Sequence, residues 1–435
     1  MGRRLFGTDG VRGVVGEELT ADLALELGRA AAAECPPARP QVLIVRDTRE
    51  SGPMLEAALA AGIAEGGGDA LLAGVLPTPA ASVLVRRLGL DLAAVISASH
   101  NPWRDNGIKL FGADGRKVPD ERQAAIERRL AAATPAAATG RVRRLEGGLD
   151  DYLRELERGF GLELDGMLIV LDCANGATHR AAPLAFQRLG LEVELIGDEP
   201  DGRNINEGCG STHLEPLRER VVGSGADLGF AFDGDGDRVL AVDAAGDARD
   251  GDDLIALIAL HLRDVGELPG GVAVTVMSNY GFHEAMREAA IEVATTNVGD
   301  RHVAAELERR GWTLGGEQSG HVIWTEFAPT GDGIAAALLV LRALAGRPLA
   351  EAVPMRRLPQ VLVNVETAER TAIEDARGLW DAVEAESEAL AGRGRVLVRP
   401  SGTEAVVRVM VEAPDRKEAE AVCERLAHVV RRELA

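Results

Sequence analysis

The sequence predicts an α/β protein built from three related units, each a mixed sheet with helices on both faces, followed by a C-terminal α+β domain. Short apolar runs of strand length alternate with segments of helical periodicity, which is typical of largely parallel sheets covered by helices. This rhythm restarts twice, and the tail changes to strand, helix, strand, strand, helix. The 435 residues are also too many for one ordinary core.

In the first unit, helices are predicted over residues 19–35, 54–65 and 121–132, and strands over residues 41–45, 71–76 and 92–96. A segment rich in Ala, Pro and Gly follows at residues 134–144 and is predicted to be a connector. The first domain is therefore expected to cover residues 1–147.

The later units are predicted from apolar runs that break into polar loops. Strands are expected over residues 167–171, 226–232, 272–277 and 313–314. In the tail, helices are predicted over residues 373–390 and 417–434, and strands over residues 396–398 and 406–411. The expected domains are residues 148–249, 250–357 and 358–435.

Charge and composition exclude several classes of partner. The net charge of −21 argues against nucleic acid and anionic membranes, because both need a basic surface. The longest apolar stretch, residues 334–341, is far shorter than a membrane span. Arg3 and Arg4 lead into a glycine-rich turn, so no secretory signal is expected. The four cysteines are scattered without metal-ligand spacing, which favours a reducing cytoplasm.

Lysine is rare in this chain. Of 48 basic residues only Lys109, Lys117 and Lys417 are lysine. Because lysine can release a proton and arginine effectively cannot, Lys109, ten residues after Ser99, is a candidate for proton transfer. Chance retention is an equal alternative.

The first candidate for chemistry is the segment Ser97-Ala98-Ser99-His100-Asn101-Pro102, which follows the predicted strand at residues 92–96. A strand that ends in small polar residues and an Asn-Pro turn presents a hydroxyl where open α/β sheets bind ligands. Ser99 is therefore the candidate reacting group. Taken alone, the segment also fits an ordinary capping loop.

Asp233, Asp235 and Asp237 alternate with glycines at the end of the strand predicted over residues 226–232. In an extended segment these carboxylates share one face, where they repel each other unless a hard cation such as Mg²⁺ lies between them. Arg238 and Ala244 stand where an EF-hand loop needs Gly and Glu, which excludes that loop. A structural acidic turn is the less favoured alternative.

Other loops carry groups suited to phosphate and sugar. The turn at residues 399–404, together with Arg408, offers guanidinium, hydroxyl and backbone N–H groups for a phosphate dianion, although an ordinary hairpin is equally compatible. Glu317 and Ser319 could bind sugar hydroxyls or an amine, and His321 is either an acid–base group or a loop histidine. Arg12 could lie near an anion or in a structural turn.

Together these segments resemble the α-D-phosphohexomutase superfamily. The resemblance spans nearly the whole chain, in the family's motif order: FGTDGVRG at 6–13, SASHNP at 97–102, DGDGDR at 233–238, GEQSGH at 316–321 and RPSGTE at 399–404. Gln318, CGSTH at 209–213 and VGDR at 298–301 resemble the branch that acts on glucosamine phosphates. Ala405 and His302 depart from the proline and tyrosine expected there.

The resemblance implies four domains around a central cleft and a phosphoryl transfer through an enzyme phosphoserine at Ser99. Mg²⁺ would be bound by that phosphate and by the three aspartates, with Arg238 as a further positive charge. Glu317 and Ser319 would bind the sugar, and the non-reacting phosphate would be held by Arg399, Ser401, Gly402, Thr403 and Arg408. Lys109 and His321 are the candidate proton carriers.

The implied reaction converts glucosamine 6-phosphate to glucosamine 1-phosphate through a 1,6-bisphosphate, which would also activate the enzyme. It would supply UDP-N-acetylglucosamine and peptidoglycan precursors in the cytoplasm, and a monomer or homodimer is expected. The alternative substrates are glucose and mannose phosphates. Less favoured are a phosphohydrolase with Asp233 as nucleophile, which leaves Ser99 without a role, and a sugar-phosphate sensor, which leaves the aspartates without one.

Overall fold

The computed structural model describes residues 5–7, 9–36, 38–130, 136, 138–161, 166–367, 373, 375–401 and 405–434. The chain divides into two compact units. The first unit is Met1–Met277 with Ile291–Pro354, and the second is Ser278–Ala290 with Met355–Ala435.

The first sheet of the first unit is mixed, with strands in the order β1-β5-β4-β2-β3-β6. Its elements are β1 (Val11–Val14), α1 (Ala21–Glu34), β2 (Gln41–Arg46), α2 (Gly52–Glu65), β3 (Asp69–Val75), α3 (Thr78–Arg87), β4 (Leu92–Ile96), β5 (Asp105–Gly112), α4 (Asp120–Leu130) and β6 (Val142–Arg144). Strands β4, β2, β3 and β6 are parallel, whereas β5 pairs antiparallel with both β4 and β1.

Residues 134–144 are predicted to be a connector without regular structure, and this prediction is wrong for the last three residues. They form β6, which pairs in parallel with β3 at the edge of this sheet. Every residue of β6 is exposed and two of the three are arginines. The segment therefore lacks the apolar pattern from which a strand is predicted. Residues 131–135 and 137 lie outside the described part of the chain.

The second sheet has the strand order β11-β10-β9-β7-β8. Its elements are α5 (Gly148–Phe160), β7 (Leu168–Asp172), α6 (Thr178–Gln187), β8 (Glu192–Ile196), α7 (Glu215–Ser224), β9 (Leu228–Phe232), β10 (Val239–Asp243) and β11 (Ala248–Arg249). Strand β9 is buried along its whole length and turns directly into the Asp233 loop. The loop returns as β10, antiparallel to β9.

The third sheet has the order β13-β12-β14-β15. This stretch of chain contains α8 (Gly251–Asp264), β12 (Gly271–Thr275), α9 (Tyr280–Glu288), β13 (Glu292–Thr296), α10 (Asp300–Arg310), β14 (Leu314–Gly316), β15 (Val322–Trp324), α11 (Gly333–Leu344) and α12 (Leu349–Ala352). The short turn between β14 and β15 carries Glu317 to His321.

The second unit is built on an antiparallel sheet in the order β16-β18-β17. Its elements beyond α9 are β16 (Gln360–Glu366), α13 (Arg377–Ala389), β17 (Arg395–Pro400), β18 (Val406–Glu412) and α14 (Arg416–Glu433). Helix α9 belongs to this unit, because the Asn279 side chain pairs with both the N–H and the C=O of Leu358, at 3.0 and 3.1 Å. Glu412 also accepts the Tyr280 N–H at 2.7 Å.

The predicted fold class is therefore confirmed: mixed α/β sheets with helices, and a C-terminal α+β domain. Aliphatic side chains fill the core of the first sheet, as the scarcity of aromatic residues requires. Among the described residues, no helix combines the length and apolar character needed to cross a bilayer. The domain boundaries given above stay a prediction.

Helices α1 and α2 pack closely because each turns a glycine toward the backbone of the other. A Cβ atom on Gly28 would lie 2.3 Å from the Leu59 carbonyl oxygen, and one on Gly62 would lie 1.9 Å from the Leu25 carbonyl oxygen. Any side chain at either position would force the helices apart. Helix α2 in turn packs against β2, β3 and β4, the strand that leads to Ser99.

We expect Gly62→Ala to lower the free energy of unfolding by about 3 kcal/mol, because backbone atoms cannot move aside as a side chain can. Gly223→Ala in the exposed last turn of α7, where no atom lies within 4 Å, is the control. It should be neutral or stabilising by about 0.5 kcal/mol. Urea unfolding measures both, and equal stabilities would contradict the packing argument.

Candidate active site

Ser99 lies at the carboxyl end of β4 in a conformation that the surrounding loop imposes. Its φ is +54°, in the left-handed region that serine seldom adopts, and only 2% of the residue is exposed. The Ser99 N–H donates to Ser97 Oγ at 3.0 Å, and Ser97 Oγ donates to Asp47 at 2.5 Å. The Ser99 hydroxyl donates to Asp233 Oδ2 at 2.6 Å. The predicted reacting group thus faces the predicted metal loop.

The three aspartates predicted to bind metal converge. Asp233, Asp235 and Asp237 are buried, and one oxygen of each lies within 4.8 Å of the others. Burial, followed by repulsion from Asp235 and Asp237, raises the pKa of Asp233 well above its ordinary value. Asp235 Oδ1 is buried and accepts no hydrogen bond from the described residues. A hard divalent cation would satisfy that oxygen and the cluster's charge, so these residues fit Mg²⁺.

Lys109 of β5 and Thr78, the first residue of α3, hold Asp235. Lys109 Nζ and Thr78 Oγ1 donate to Asp235 Oδ2 at 2.9 and 2.7 Å, and the Thr78 N–H donates to the Asp235 carbonyl at 2.8 Å. Burial disfavours the charged lysine, but Asp235 and Asp9 outweigh it and raise the pKa of Lys109 well above its ordinary value. Lys109 therefore supplies a fixed positive charge beside the metal loop.

Asp9 links the amino-terminal motif to both buried lysines. Its carboxylate contacts Lys109 Nζ at 3.0 Å and forms close ion pairs with Lys117 and Arg12. Burial alone would raise the pKa of Asp9, but Lys109, Lys117 and Arg12 together hold it well below its ordinary value. Lys117 also pairs with Asp300. Two of the chain's three lysines thus serve this region.

The loop between β14 and β15 is shaped by contacts on both sides. Glu317 Oε1 accepts the Gly299 N–H at 2.9 Å. Gly320 has a φ of +91°, and a Cβ atom there would lie 2.3 Å from the Val239 carbonyl oxygen. This close approach sets the loop against β10, the strand that leaves the aspartate loop.

His321 is buried behind the aspartates, with 2% of the residue exposed. Its Nε2 accepts the Gly331 N–H at 3.1 Å, and its Nδ1 lies 3.5 Å from Asp237 Oδ1. In the neutral ring the proton must then be on Nδ1, directed at Asp237. Nε2 is therefore occupied by a hydrogen bond, whereas Nδ1 lies beside Asp237 Oδ1, which accepts no hydrogen bond from the described residues.

A cavity of about 510 Å³ opens above these groups. Of the predicted residues it is lined by Arg12, Ser99, Asp237, Arg238, Glu317, Ser319 and His321. This volume is in the range of ligand-binding clefts. Lys109, Asp233 and Asp235 are buried and do not line the cavity.

In the second unit, the predicted phosphate-binding residues are described in part. Arg399 and Arg408 stand directly opposite each other on β17 and β18, so their side chains share one face of the sheet. Burial, followed by the charge of Arg408, lowers the pKa of Arg399. Two adjacent guanidinium groups suit an anion. Ser401 is buried, and Gly402 and Thr403 lie outside the described residues.

Several residues at the site were missed in the sequence. They are Asp9, Thr78, His100, Lys117, Asp300 and His302. His100 follows Ser99 and its Nδ1 lies 3.4 Å from Ser99 Oγ, so its position beside the reacting group was a usable signal. Burial lowers the pKa of His100, which keeps the ring neutral. Lysine scarcity likewise pointed to Lys117.

Models of one family match the chain from end to end. The four domains of the phosphoglucomutase/phosphomannomutase family match residues 3–137, 150–246, 250–357 and 362–429. The chain belongs to this family. The resemblance seen in the sequence motifs is thereby confirmed.

Individual relatives agree with the family. Phosphoglucosamine mutases of Moorella thermoacetica and Mycolicibacterium vanbaalenii are 51% and 50% identical, each over 98% of this chain and 99% of their own. A phosphoglucomutase/phosphomannomutase family protein of Burkholderia thailandensis has a similar structure, with a TM-score of 0.84, 25% identity, and coverage of 99% of this chain and 97% of its own.

A more distant likeness in fold is the N-acetylphosphoglucosamine mutase of Aspergillus fumigatus, solved in complex with GlcNAc-6P and magnesium. Its TM-score is 0.70 at 21% identity, over 99% of this chain and 96% of its own.

We expect Asp235→Asn to raise the dissociation constant for Mg²⁺ by at least about tenfold, because a neutral amide replaces a charged ligand. Isothermal titration calorimetry measures the constant without any substrate. Asp264→Asn, at a surface aspartate whose side chain is 63% exposed, is the control and should bind Mg²⁺ as the unmodified protein does. Unchanged affinity in Asp235→Asn would place the cation elsewhere.

Proposed function

We propose that this chain interconverts glucosamine 6-phosphate and glucosamine 1-phosphate. Phosphorylated Ser99 gives its phosphoryl group to the sugar, forming the 1,6-bisphosphate, and then takes the sugar's original phosphoryl group, which leaves the product. One observation carries the proposal: the Ser99 hydroxyl is 2.6 Å from Asp233 of the aspartate cluster, and Ser99 lines the same cavity as Glu317 and Ser319. Relatives about 50% identical over the whole chain, named phosphoglucosamine mutase, support the sugar.

In this proposal the chain's own residues orient and neutralise the transferring group. Ser99, held with a φ of +54°, directs its oxygen toward the aspartate cluster. Bound Mg²⁺, held by Asp233, Asp235, Asp237 and the Ser99 phosphate, would neutralise charge on the phosphoryl oxygens. Arg238 projects into the cavity as a second positive charge, and its backbone N–H binds Asp233 at 3.2 Å.

Sugar binding and proton transfer fall to the remaining cavity residues. Glu317 and Ser319 are proposed to hold the sugar, and Arg12 to contribute a positive charge near its phosphate. Lys109 and His321 are the proposed proton carriers: His321 accepts the proton released by the attacking hydroxyl, and Lys109, which is held protonated, can only donate one. His321 lines the cavity, whereas Lys109 is buried and donates to Asp235.

The non-reacting phosphate is proposed to bind Arg399, Ser401, Gly402, Thr403 and Arg408. A guanidinium pair reads a dianion and not its position on the sugar. The same residues can therefore hold the sugar in both of its orientations, before and after it turns over between the two transfers. A hexose or hexosamine 1,6-bisphosphate would activate the enzyme by phosphorylating Ser99.

The proposal also covers the setting: a cytoplasmic protein, monomeric or homodimeric, that supplies UDP-N-acetylglucosamine and peptidoglycan precursors. The second candidate is a phosphomannomutase or phosphoglucomutase, favoured by the description of the family. A coupled assay with glucosamine, glucose and mannose 6-phosphates decides between them. Faster turnover of glucose or mannose 6-phosphate would overturn the sugar and leave the reaction class intact.

We expect Ser99→Ala to lower kcat by about a thousandfold, because the transferring oxygen is removed. Its thermal midpoint should change little, since one loop hydroxyl is lost. In the unmodified enzyme, label from a ³²P-labelled sugar bisphosphate should survive hydroxylamine and map to Ser99. Ser224→Ala, at an exposed hydroxyl of α7, is the control. Hydroxylamine-labile label on Asp233 would favour the phosphohydrolase instead.

Arg399→Ala should weaken substrate binding about tenfold and increase release of the 1,6-bisphosphate during single turnover, because one guanidinium of the pair is lost. Arg393→Ala, whose side chain is 51% exposed and pairs with Glu418, is the control. Quenched-flow sampling measures free bisphosphate. Equal release by Arg399→Ala and the unmodified enzyme would mean that this pair does not retain the intermediate.

A further inference from the structure

The carbonyl group of Ser99 is held by two side chains from different parts of the fold. Arg49 Nη2 and Asn206 Nδ2 each donate to the Ser99 carbonyl oxygen at 3.0 Å. The same two nitrogen atoms also donate to the Asn101 carbonyl, at 2.8 and 3.2 Å. The loop that carries the reacting hydroxyl is therefore gripped through its backbone.

All three nitrogen atoms of the Arg49 guanidinium donate hydrogen bonds to Asp47 or to backbone carbonyls in and near the Ser99 loop. Arg49 follows β2, is fully buried, and is held by Asp47 Oδ2, which accepts its Nε–H at 2.8 Å. Its Nη1 donates to the carbonyls of Pro102 and Asp105. Asp47 also accepts the Ser97 hydroxyl, which in turn accepts the Ser99 N–H. Arg49 and Asp47 thus support Ser99 on both sides of its Cα.

Asn206 reaches the Ser99 loop from the segment that follows β8 of the second sheet. It lies between β8 and α7, has a φ of +59°, and its N–H donates to the Ala174 carbonyl at 2.9 Å. Gly234 of the aspartate loop packs on the same point, because a Cβ atom there would lie 2.7 Å from both Ser99 O and Asn206 Nδ2. Three loops therefore meet at one carbonyl oxygen.

We propose that Asn206, together with Arg49, is a positioning residue that keeps Ser99 in its left-handed conformation, so that Ser99 Oγ faces the aspartate cluster. Without these donors the peptide after Ser99 can rotate toward a common backbone conformation, which moves Oγ away from Asp233. Asn206 links the two loops, because its Nδ2 binds the Ser99 carbonyl and also lies against Gly234 of the aspartate loop. This inference rests on the proposed phosphoserine function.

Asn206→Gly tests the inference, because glycine accepts the positive φ while the side chain that carries the Nδ2 donor is removed. Asn175→Gly is the matched control: it also has a positive φ, at +48°, and its side chain binds Glu199, Asn204 and Cys209. Asn206→Asp is a second variant that keeps the shape and replaces the donor with an acceptor. Thermal unfolding checks that each variant is folded.

We expect Asn206→Gly to lower kcat about 10- to 100-fold, because a reacting group misplaced by about 1 Å costs up to about this much. The KM should stay within about twofold of that of the unmodified enzyme. Phosphorylation of Ser99 by glucose 1,6-bisphosphate, followed by intact-protein mass spectrometry, should slow by a similar factor. Asn206→Asp should behave in the same way. Asn175→Gly should stay within about threefold in both measurements.

Three outcomes would overturn the inference: kcat within threefold in a folded Asn206→Gly or Asn206→Asp, a rise in KM without a fall in kcat, or equal losses in Asn175→Gly. An unmodified enzyme that neither turns over sugar phosphate nor accepts phosphate on Ser99 would instead overturn the proposed function. The two failures are thus distinguishable. Slow phosphorylation confined to the Asn206 variants supports positioning.

Discussion

Three carboxylates buried at the end of β9 repel one another, and much of the surrounding structure compensates for that repulsion. Lys109 of β5 and Thr78 of α3 hold Asp235, and the His321 ring lies 3.5 Å from Asp237. Within the described part of the chain, Asp235 Oδ1 and Asp237 Oδ1 are buried and accept no hydrogen bond, which is an arrangement suited to a cation. A divalent ion would remove the remaining repulsion, so metal affinity and the geometry of these loops depend on each other.

The compensating groups also explain why the loops keep their relative positions. The loops meet at the carboxyl ends of strands, where backbone hydrogen bonds between strands stop and side chains must replace them. Glycines permit the close approaches: Gly234 packs on the Ser99 carbonyl, and Gly320 packs on β10. The left-handed conformation of Ser99 is tolerated because its N–H and C=O are both bound. Reactivity thus depends on the backbone around Ser99 as well as on its hydroxyl.

The sequence predicted the repeated α/β units and the loops that carry Ser99, Asp233 and Glu317, because these features are local. Strand length, turn residues and carboxylate spacing are all visible in short segments. It did not predict β6, which is an exposed edge strand without an apolar pattern. Nor did it predict Thr78 or Asp300, whose partners are far away in the chain. His321 was predicted to be either an acid–base group or a loop histidine, and the sequence did not show that it is buried with Nε2 accepting the Gly331 N–H.

The sequence by itself determined the family, the fold class and the candidate reacting and metal-binding residues, because motif order and strand–loop patterns are properties of consecutive residues. Only the tertiary structure decided which charges meet. Lys109 and Asp235 are 126 positions apart, and Ser99 and Asn206 are 107 positions apart, yet each pair is in hydrogen-bond contact. Such contacts depend on how sheets and loops pack in three dimensions, and no local pattern specifies that packing.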